Sequence, residues 1–140
     1  MQTQHFTRFA PVIKSLAADD LAVTATPSKK LRLAQSGGVE VFYAPFEYIN
    51  PAARIVIVGI TPGRTQMMNA LREAKRQLDN GADHLCALSA AKRTGAFSGS
   101  LRPDLVAMLD CVGVNRWLGI DSCDALFGKA ADLVQTASVL

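Results

Sequence analysis

Apolar residues recur along this chain with spacings typical of helices in some segments and of strands in others. Near the start, steps of three and four residues predict an amphipathic helix that is broken or kinked at Pro11, with an apolar face made of Phe6, Phe9, Val12, Ile13 and Leu16. Residues 19–30 are mixed in polarity and predict irregular structure. Leu31–Leu33 and Val39–Tyr43 then flank Ser36-Gly37-Gly38, which predicts a hairpin with glycine in its turn.

Residues 55–58 form the most informative apolar segment. Ile55, Val56, Ile57 and Val58 are four consecutive β-branched residues. Such a run is typical of a strand buried on both faces, as at the centre of a parallel sheet. The run ends at Gly59-Ile60-Thr61-Pro62-Gly63, which predicts a tight turn.

Helical patterns follow this turn. Gln66–Leu78 is predicted as a helix with Thr65 as its N-cap and Asn80-Gly81 as its stop, and Ala82–Lys92 as a second helix. Beyond the loop Thr94–Ser100, a third helix has Pro103 in its first turn and a predicted inner face of Leu101, Leu105, Met108, Leu109 and Val112.

The last segments complete the predicted fold. A short helix through Ala125–Phe127 precedes a final strand at Leu133–Leu140. This order of strand, helices and strand predicts an α/β protein, a three-layer α/β/α arrangement around a central, mainly parallel sheet. We expect residues 1–140 to form a single domain whose sheet is incomplete at the C-terminus, and copies to associate through the exposed edge of the final strand.

Composition narrows the environment of the protein. A hydrophobic fraction of 49% with no apolar run of about 20 residues predicts a globular protein without a membrane span, and the polar start predicts the cytoplasm. The three cysteines, Cys86, Cys111 and Cys123, contain no CxxC pair, and His5 and His84 are the two histidines. These spacings favour free thiols and predict neither a metal site nor a cofactor.

Positive charge is concentrated in the middle of the chain. Residues 64–102 hold seven Lys or Arg and three acids, a net charge of +4, whereas eight bases and nine acids lie outside them. A basic segment of this kind favours phosphate-backbone binding, although a solvated helix face has the same composition. The candidate phosphate contacts are Arg64, Lys92, Arg93 and Arg102.

The Gly59–Gly63 turn is the first candidate for chemistry, because ligands of parallel sheets bind beyond the carboxyl ends of the strands. Its N–H groups and the helix that follows suit an anion or an activated water. The turn lacks the Lys and Ser/Thr of a phosphate-binding P-loop and the three glycines of a dinucleotide site. A purely structural turn remains the alternative.

Three segments in order resemble the uracil-DNA glycosylase superfamily. Gly59-Ile60-Thr61-Pro62-Gly63 is similar to its first motif, Ala96-Phe97-Ser98-Gly99-Ser100-Leu101 to the segment that follows, and residues 136–140 to its base-reading strand. The resemblance implies that Phe97 stacks on a base extruded from DNA and that the turn positions the water that cleaves the glycosidic bond.

The chain also departs from the pattern of that family. Ile60 and Thr61 stand where relatives carry an acidic or amide residue, and Ala137 or Ser138 stands at the base-reading asparagine, which leaves Ser138 as the candidate base contact. The family's second active-site segment is expected after the final strand, and this sequence ends at Leu140, before such a segment. We therefore expect weak or no base excision from the 140-residue chain, with Gly59, Ile60, Thr61, Pro62 and Gly63 as catalytic candidates.

Two alternatives to a glycosylase stay open at this point. One is a non-catalytic nucleic-acid- or nucleotide-binding module on the same scaffold, which the missing acidic residue favours. The other is an unrelated α/β domain in which Phe97 is a core aromatic residue.

Overall fold

The computed structural model describes residues 3–139, which form a mixed α/β structure. Its helices are α1 (Gln4–Ser15), α2 (Arg64–Asp79), α3 (His84–Gly95), α4 (Leu101–Cys111) and α5 (Val114–Leu118). Its strands are β1 (Arg32–Ser36), β2 (Val39–Phe42), β3 (Ile55–Gly59) and β4 (Val134–Ser138). Short 3-10 turns lie at Asp19–Leu21, Lys29–Leu31, Cys123–Phe127 and Ala131–Leu133.

The strands pair in two separate two-stranded sheets. β1 and β2 form the predicted antiparallel hairpin, and Gly37 in its turn has a φ of 55°. β3 and β4 pair in parallel, as predicted, with Ile55 opposite Val134 and Gly59 opposite Ser138. The α/β class is thus confirmed, but residues 3–139 form no single central sheet, because the hairpin does not join the parallel pair.

The first hydrophobic core lies between α1, α2 and α3. Phe6 and Ile13 of α1 pack there with Met68 and Leu71 of α2 and with Leu88 of α3, and all of these side chains are buried. The helix is not broken at Pro11, since α1 is one helix with Pro11 inside it, and a kink there stays a prediction. A proline removes one backbone hydrogen bond, and burial of apolar residues on both sides of Pro11 compensates for that loss.

The second core lies on one face of the parallel sheet. Ile55 and Ile57 of β3 pack there with Val134 of β4, Leu118 and Leu126. The opposite face of β3 carries Val56 and Val58, which are 59% and 58% exposed. The prediction of a strand buried on both faces is therefore wrong for the described residues, because one layer of helices covers one face of the sheet.

The predicted inner face of helix α4 is confirmed at Leu109 and wrong at three other positions. Val106 and Leu109 pack against the second core, whereas Leu101, Met108 and Val112 are exposed. Apolar residues lie on both sides of this helix, so their spacing does not identify one buried face.

The helix ends follow local chemistry. Helix α2 begins after Gly63 as its N-cap, so Thr65 lies inside the helix and its predicted capping role is wrong. Its predicted stop is confirmed, with Asn80 as C-cap and Gly81 at a φ of 79°. The Asp83 side chain caps α3 by accepting a hydrogen bond from the Cys86 N–H at 2.8 Å.

Across residues 3–139, no helix has both the length and the apolar character required to span a bilayer. The final strand ends at Ser138, two residues before the predicted Leu140, which lies outside the described residues. Association of copies through the edge of β4 stays a prediction, as does the cytoplasmic location.

Candidate functional site

The Gly59–Gly63 turn lies at the carboxyl end of β3 and leads directly into α2. Gln66, on the first turn of α2, anchors it: the Gln66 Oε1 atom accepts a hydrogen bond from the Gly63 N–H at 3.0 Å. This contact satisfies one of the N–H groups that a helix N-terminus leaves unpaired. The turn is thereby held at one end by the strand and at the other by the helix.

Phe97 lies in the turn between α3 and α4, and its backbone has an unusual conformation. It is the one non-glycine residue among those described with a positive φ, 52°. Bulky residues rarely adopt this left-handed conformation, and such strain is often found at functional sites. The ring is half-buried and meets the Phe127 ring edge-to-face at a centroid distance of 6.5 Å.

Helix α2 holds the turn around Phe97 in place through two side chains. Gln66 Nε2 donates a hydrogen bond to the Ser98 carbonyl oxygen, and Asn69 Nδ2 donates to Ser98 Oγ at 2.8 Å. Ser98 itself is buried. Gln66 thus contacts both the Gly59–Gly63 turn and the Phe97 turn, and fixes the position of one relative to the other.

This contact depends on a close approach of α2 and α3 at Gly95. A Cβ atom on Gly95 would lie 2.7 Å from Ala70 Cβ, 2.9 Å from the Gln66 carbonyl oxygen and 2.9 Å from Phe46 Cζ. Any side chain at this position would push the two helices apart. Glycine is therefore required here by space rather than by backbone conformation.

The end of β4 lies beside the end of β3. Ser138 is opposite Gly59 in the parallel register, and the Val139 N–H donates a hydrogen bond to the Gly59 carbonyl oxygen at 3.2 Å. Thr136 lies two residues before Ser138, on the same face of the strand, and is buried.

These segments enclose a cavity of about 370 Å³, within the usual size range of small-ligand sites. The residues that line it are Phe46, Gly59, Ile60, Thr61, Pro62, Gln66, Lys92, Ala96, Phe97, Leu101, Thr136, Ala137 and Ser138. The structure thus brings together the predicted turn, the predicted stacking residue and the predicted base contact. Gly63 lies next to the cavity, at the start of α2.

Lys92 lies between this cavity and a second cavity of about 260 Å³, which Tyr48 lines, rather than on the outer surface. Its side chain is 7% exposed, and its Nζ donates a hydrogen bond to the Tyr48 carbonyl oxygen. Burial lowers the pKa of the Lys92 ammonium to about 8, while the negative charge of Glu47 acts in the opposite direction.

The other predicted phosphate contacts differ in their surroundings. Arg64 and Arg93 are exposed. Arg102 is partly buried: its Nη2 donates to the carbonyl oxygens of Thr94 at 2.8 Å and Ala96 at 2.7 Å. Its guanidinium also lies over the Phe127 ring, 4.5 Å from the centroid, and burial lowers its pKa. Arg102 therefore caps the C-terminal end of α3 by donating hydrogen bonds to its carbonyl oxygens.

Among the described residues that line the cavity there is no Asp, Glu or His. Residues 3–139 likewise contain no cluster of three or more potential metal ligands. The polar groups that the cavity offers are therefore hydroxyls, an amide, backbone groups and one ammonium.

Sequence reasoning missed two residues of this site. Phe46 and Gln66 line the cavity but belong to none of the segments singled out as chemical. A signal for Gln66 was present, because a helix N-cap followed three residues later by Glu or Gln is a known capping pattern. Nothing local marked Phe46, whose place in the cavity depends on distant packing.

Comparison with known proteins finds similarity to a curated protein. The chain is 38% identical over 110 residues to the Uncharacterized protein YoxB of Bacillus subtilis (strain 168), a match that covers 78% of this chain and 43% of that protein. The chain thus spans less than half the length of this relative. No protein-family model matches the chain, and no solved structure matches it.

Proposed function

We propose that this chain binds a nucleobase extruded from DNA and, like a uracil-DNA glycosylase, hydrolyses its N-glycosidic bond. The observation that carries the proposal is that Phe97, Ser138 and the turn from Gly59 line one cavity. These segments are far apart in the chain, and they are the segments that resemble the glycosylase motifs.

Phe97 is the proposed stacking residue. Its ring borders the cavity, and stacking of a base on an aromatic ring contributes about 1–3 kcal/mol. Its strained backbone supports a role beyond packing. A base reaches such a cavity only after it has left the duplex stack, so single-stranded DNA is the simplest substrate.

Thr61 and Ser138 are the proposed polar contacts. The Thr61 hydroxyl and the backbone N–H groups of the turn would orient the attacking water, and the Ser138 hydroxyl would contact the base edge. A threonine hydroxyl is a poor base at neutral pH, so we expect excision to be slow. Exposed Arg64 and Arg93 are the proposed contacts to DNA phosphates.

We also propose that the parallel pair belongs to a larger, three-layer α/β/α sheet. The exposed side chains of Val56 and Val58 support this, because a parallel sheet is usually covered on both faces. Such a sheet would be completed by polypeptide other than residues 3–139.

A labelled single-stranded oligonucleotide with one central uracil tests the proposal. Excision is measured by alkaline cleavage at the abasic site. Binding is measured with 2′-fluorinated deoxyuridine, whose glycosidic bond resists hydrolysis, against the same oligonucleotide with an abasic position. We expect tighter binding to the base-containing strand and slow cleavage that Thr61→Ala reduces, whereas Thr94→Ala, outside the cavity, leaves cleavage unchanged.

A second candidate function is base binding without hydrolysis. The absence of Asp, Glu and His from the described cavity lining favours it, because these residues commonly activate water. Base-dependent binding without cleavage would establish this candidate. Equal affinity for the uracil strand and the abasic strand would contradict both.

A further inference from the structure

Lys92 is the one charged side chain among the described residues that line the cavity. It lies on α3, is almost fully buried, and donates one hydrogen bond to the Tyr48 carbonyl oxygen. A carbonyl oxygen neutralises no charge. Within residues 3–139, no carboxylate lies within ion-pair distance of Lys92.

Glu47 is the acidic residue whose charge acts on Lys92, and its carboxylate has another partner. Both of its oxygens accept hydrogen bonds from the Tyr43 hydroxyl, at 2.8 and 3.1 Å. A buried ammonium without a paired carboxylate is costly, and the cost falls when an anion binds beside it. A cavity lined by such an ammonium therefore favours a ligand with negative charge.

The surroundings of Lys92 indicate which kind of anion fits. Phe46, Ala96, Phe97 and Leu101 give the cavity apolar walls, two of them aromatic. A phosphate has no apolar face and would lose its hydration against such walls. A planar heterocycle with a delocalised negative charge keeps its flat faces on apolar groups and presents its charged edge to Lys92.

We infer that the Lys92 ammonium binds the negative charge of a planar heterocyclic anion stacked on Phe97, the form in which a base departs from deoxyribose. This inference rests on the proposed function. In that reaction the C1′–N bond breaks and its electron pair stays on the base nitrogen. Water adds to C1′ and releases one proton, which neutralises the departing base. Lys92 would stabilise the charge between these events.

Two small pyrimidines test the inference without DNA. Barbiturate is anionic at neutral pH, whereas uracil has nearly the same shape and is neutral there. By calorimetric titration we expect wild-type protein to bind barbiturate about tenfold to a hundredfold more tightly than uracil. Lys92→Met should abolish this preference, and Lys129→Met, which removes the same charge from an exposed position, should retain it.

The wild-type comparison keeps the inference falsifiable even where a variant fails to fold. Equal affinity of wild-type protein for the two pyrimidines would overturn it, as would an unchanged preference in folded Lys92→Met protein. The oligonucleotide cleavage assay reports separately on hydrolysis. Barbiturate preference without cleavage would support the charge-binding role of Lys92 and contradict the proposed hydrolysis, whereas cleavage without the preference would do the reverse.

Discussion

The ring of Phe97 lies directly against the backbone of Gly59. A Cβ atom added to Gly59 would be 3.3 Å from Cε1 and 3.4 Å from Cζ of that ring. The residue that ends β3 and the aromatic residue that borders the cavity are therefore positioned by each other, although 37 residues separate them in sequence. Glycine at position 59 lets the ring approach the sheet more closely than any other residue would.

The first prediction concerns this contact. We expect Gly59→Ala to shift the Phe97 ring by a few tenths of an ångström and to weaken the uracil-dependent part of oligonucleotide binding. Stability should fall by about 1 kcal/mol or less, because the new Cβ atom would lie only a few tenths of an ångström inside ordinary contact distance. Gly38→Ala is the matched control, since a Cβ there meets nothing within 4 Å. Unchanged uracil-dependent binding by Gly59→Ala would argue against a stacking role for Phe97.

The second prediction concerns Gln66, which bridges the two turns. Gln66→Leu removes the acceptor for the Gly63 N–H and the donor to the Ser98 carbonyl oxygen. We expect a loss of about 2 kcal/mol in the free energy of unfolding, measured in urea, together with weaker uracil-dependent binding.

Gln77→Leu is the control for Gln66. It lies on the same helix and removes one contact, the hydrogen bond to Glu73 at 2.8 Å, far from the cavity. It should cost less stability and leave binding intact. If both variants lost binding equally, the bridge would not be what positions the site.

The third prediction separates two arginines that looked alike in the sequence. Arg102→Ala removes hydrogen bonds to the last carbonyl groups of α3 and the contact with the Phe127 ring, so unfolding should become about 1–3 kcal/mol easier. Arg64→Ala should change stability by less than about 0.5 kcal/mol.

DNA binding should show the opposite order of effects, with the larger loss of affinity in Arg64→Ala than in Arg102→Ala. Arg64→Ala should weaken binding to any DNA sequence. The slope of log affinity against log salt concentration should fall by about one, because the variant lacks one phosphate contact. Binding measured at several salt concentrations checks this. A salt dependence identical to that of the wild type would remove Arg64 from the proposed DNA surface.

The fourth prediction concerns pH. Burial lowers the pKa of Lys92 from 10.5 to about 8, with Glu47 opposing the shift. Between these values the unfolded chain holds a proton that the folded chain lacks, so the free energy of unfolding gains a contribution that rises with pH across this window. Urea unfolding at about pH 7 and about pH 10 should show this gain in the wild type relative to Lys92→Met. The same difference at both pH values would show that Lys92 is not buried as described.

The local features of the fold were predictable from the sequence. The hairpin around Gly37 and the strand at residues 55–59 follow from periodicity and turn residues, which act over a few positions. The parallel pairing of that strand with β4 follows from the order of strand, helices and strand. The strand–turn–helix order at Gly59–Gly63 likewise marked the place of the candidate site. The hairpin, strand and turn patterns depend on neighbouring residues and not on packing between distant segments.

Tertiary structure alone decided which faces are covered and which charges are buried. Lys92 and Arg93 are neighbours in the chain, yet one lies in the cavity and the other on the surface. Periodicity predicted apolar positions on β3 and α4 but not that Val58 and Met108 would remain exposed. These outcomes depend on contacts between residues far apart in sequence, where the packing of one element determines the surroundings of another.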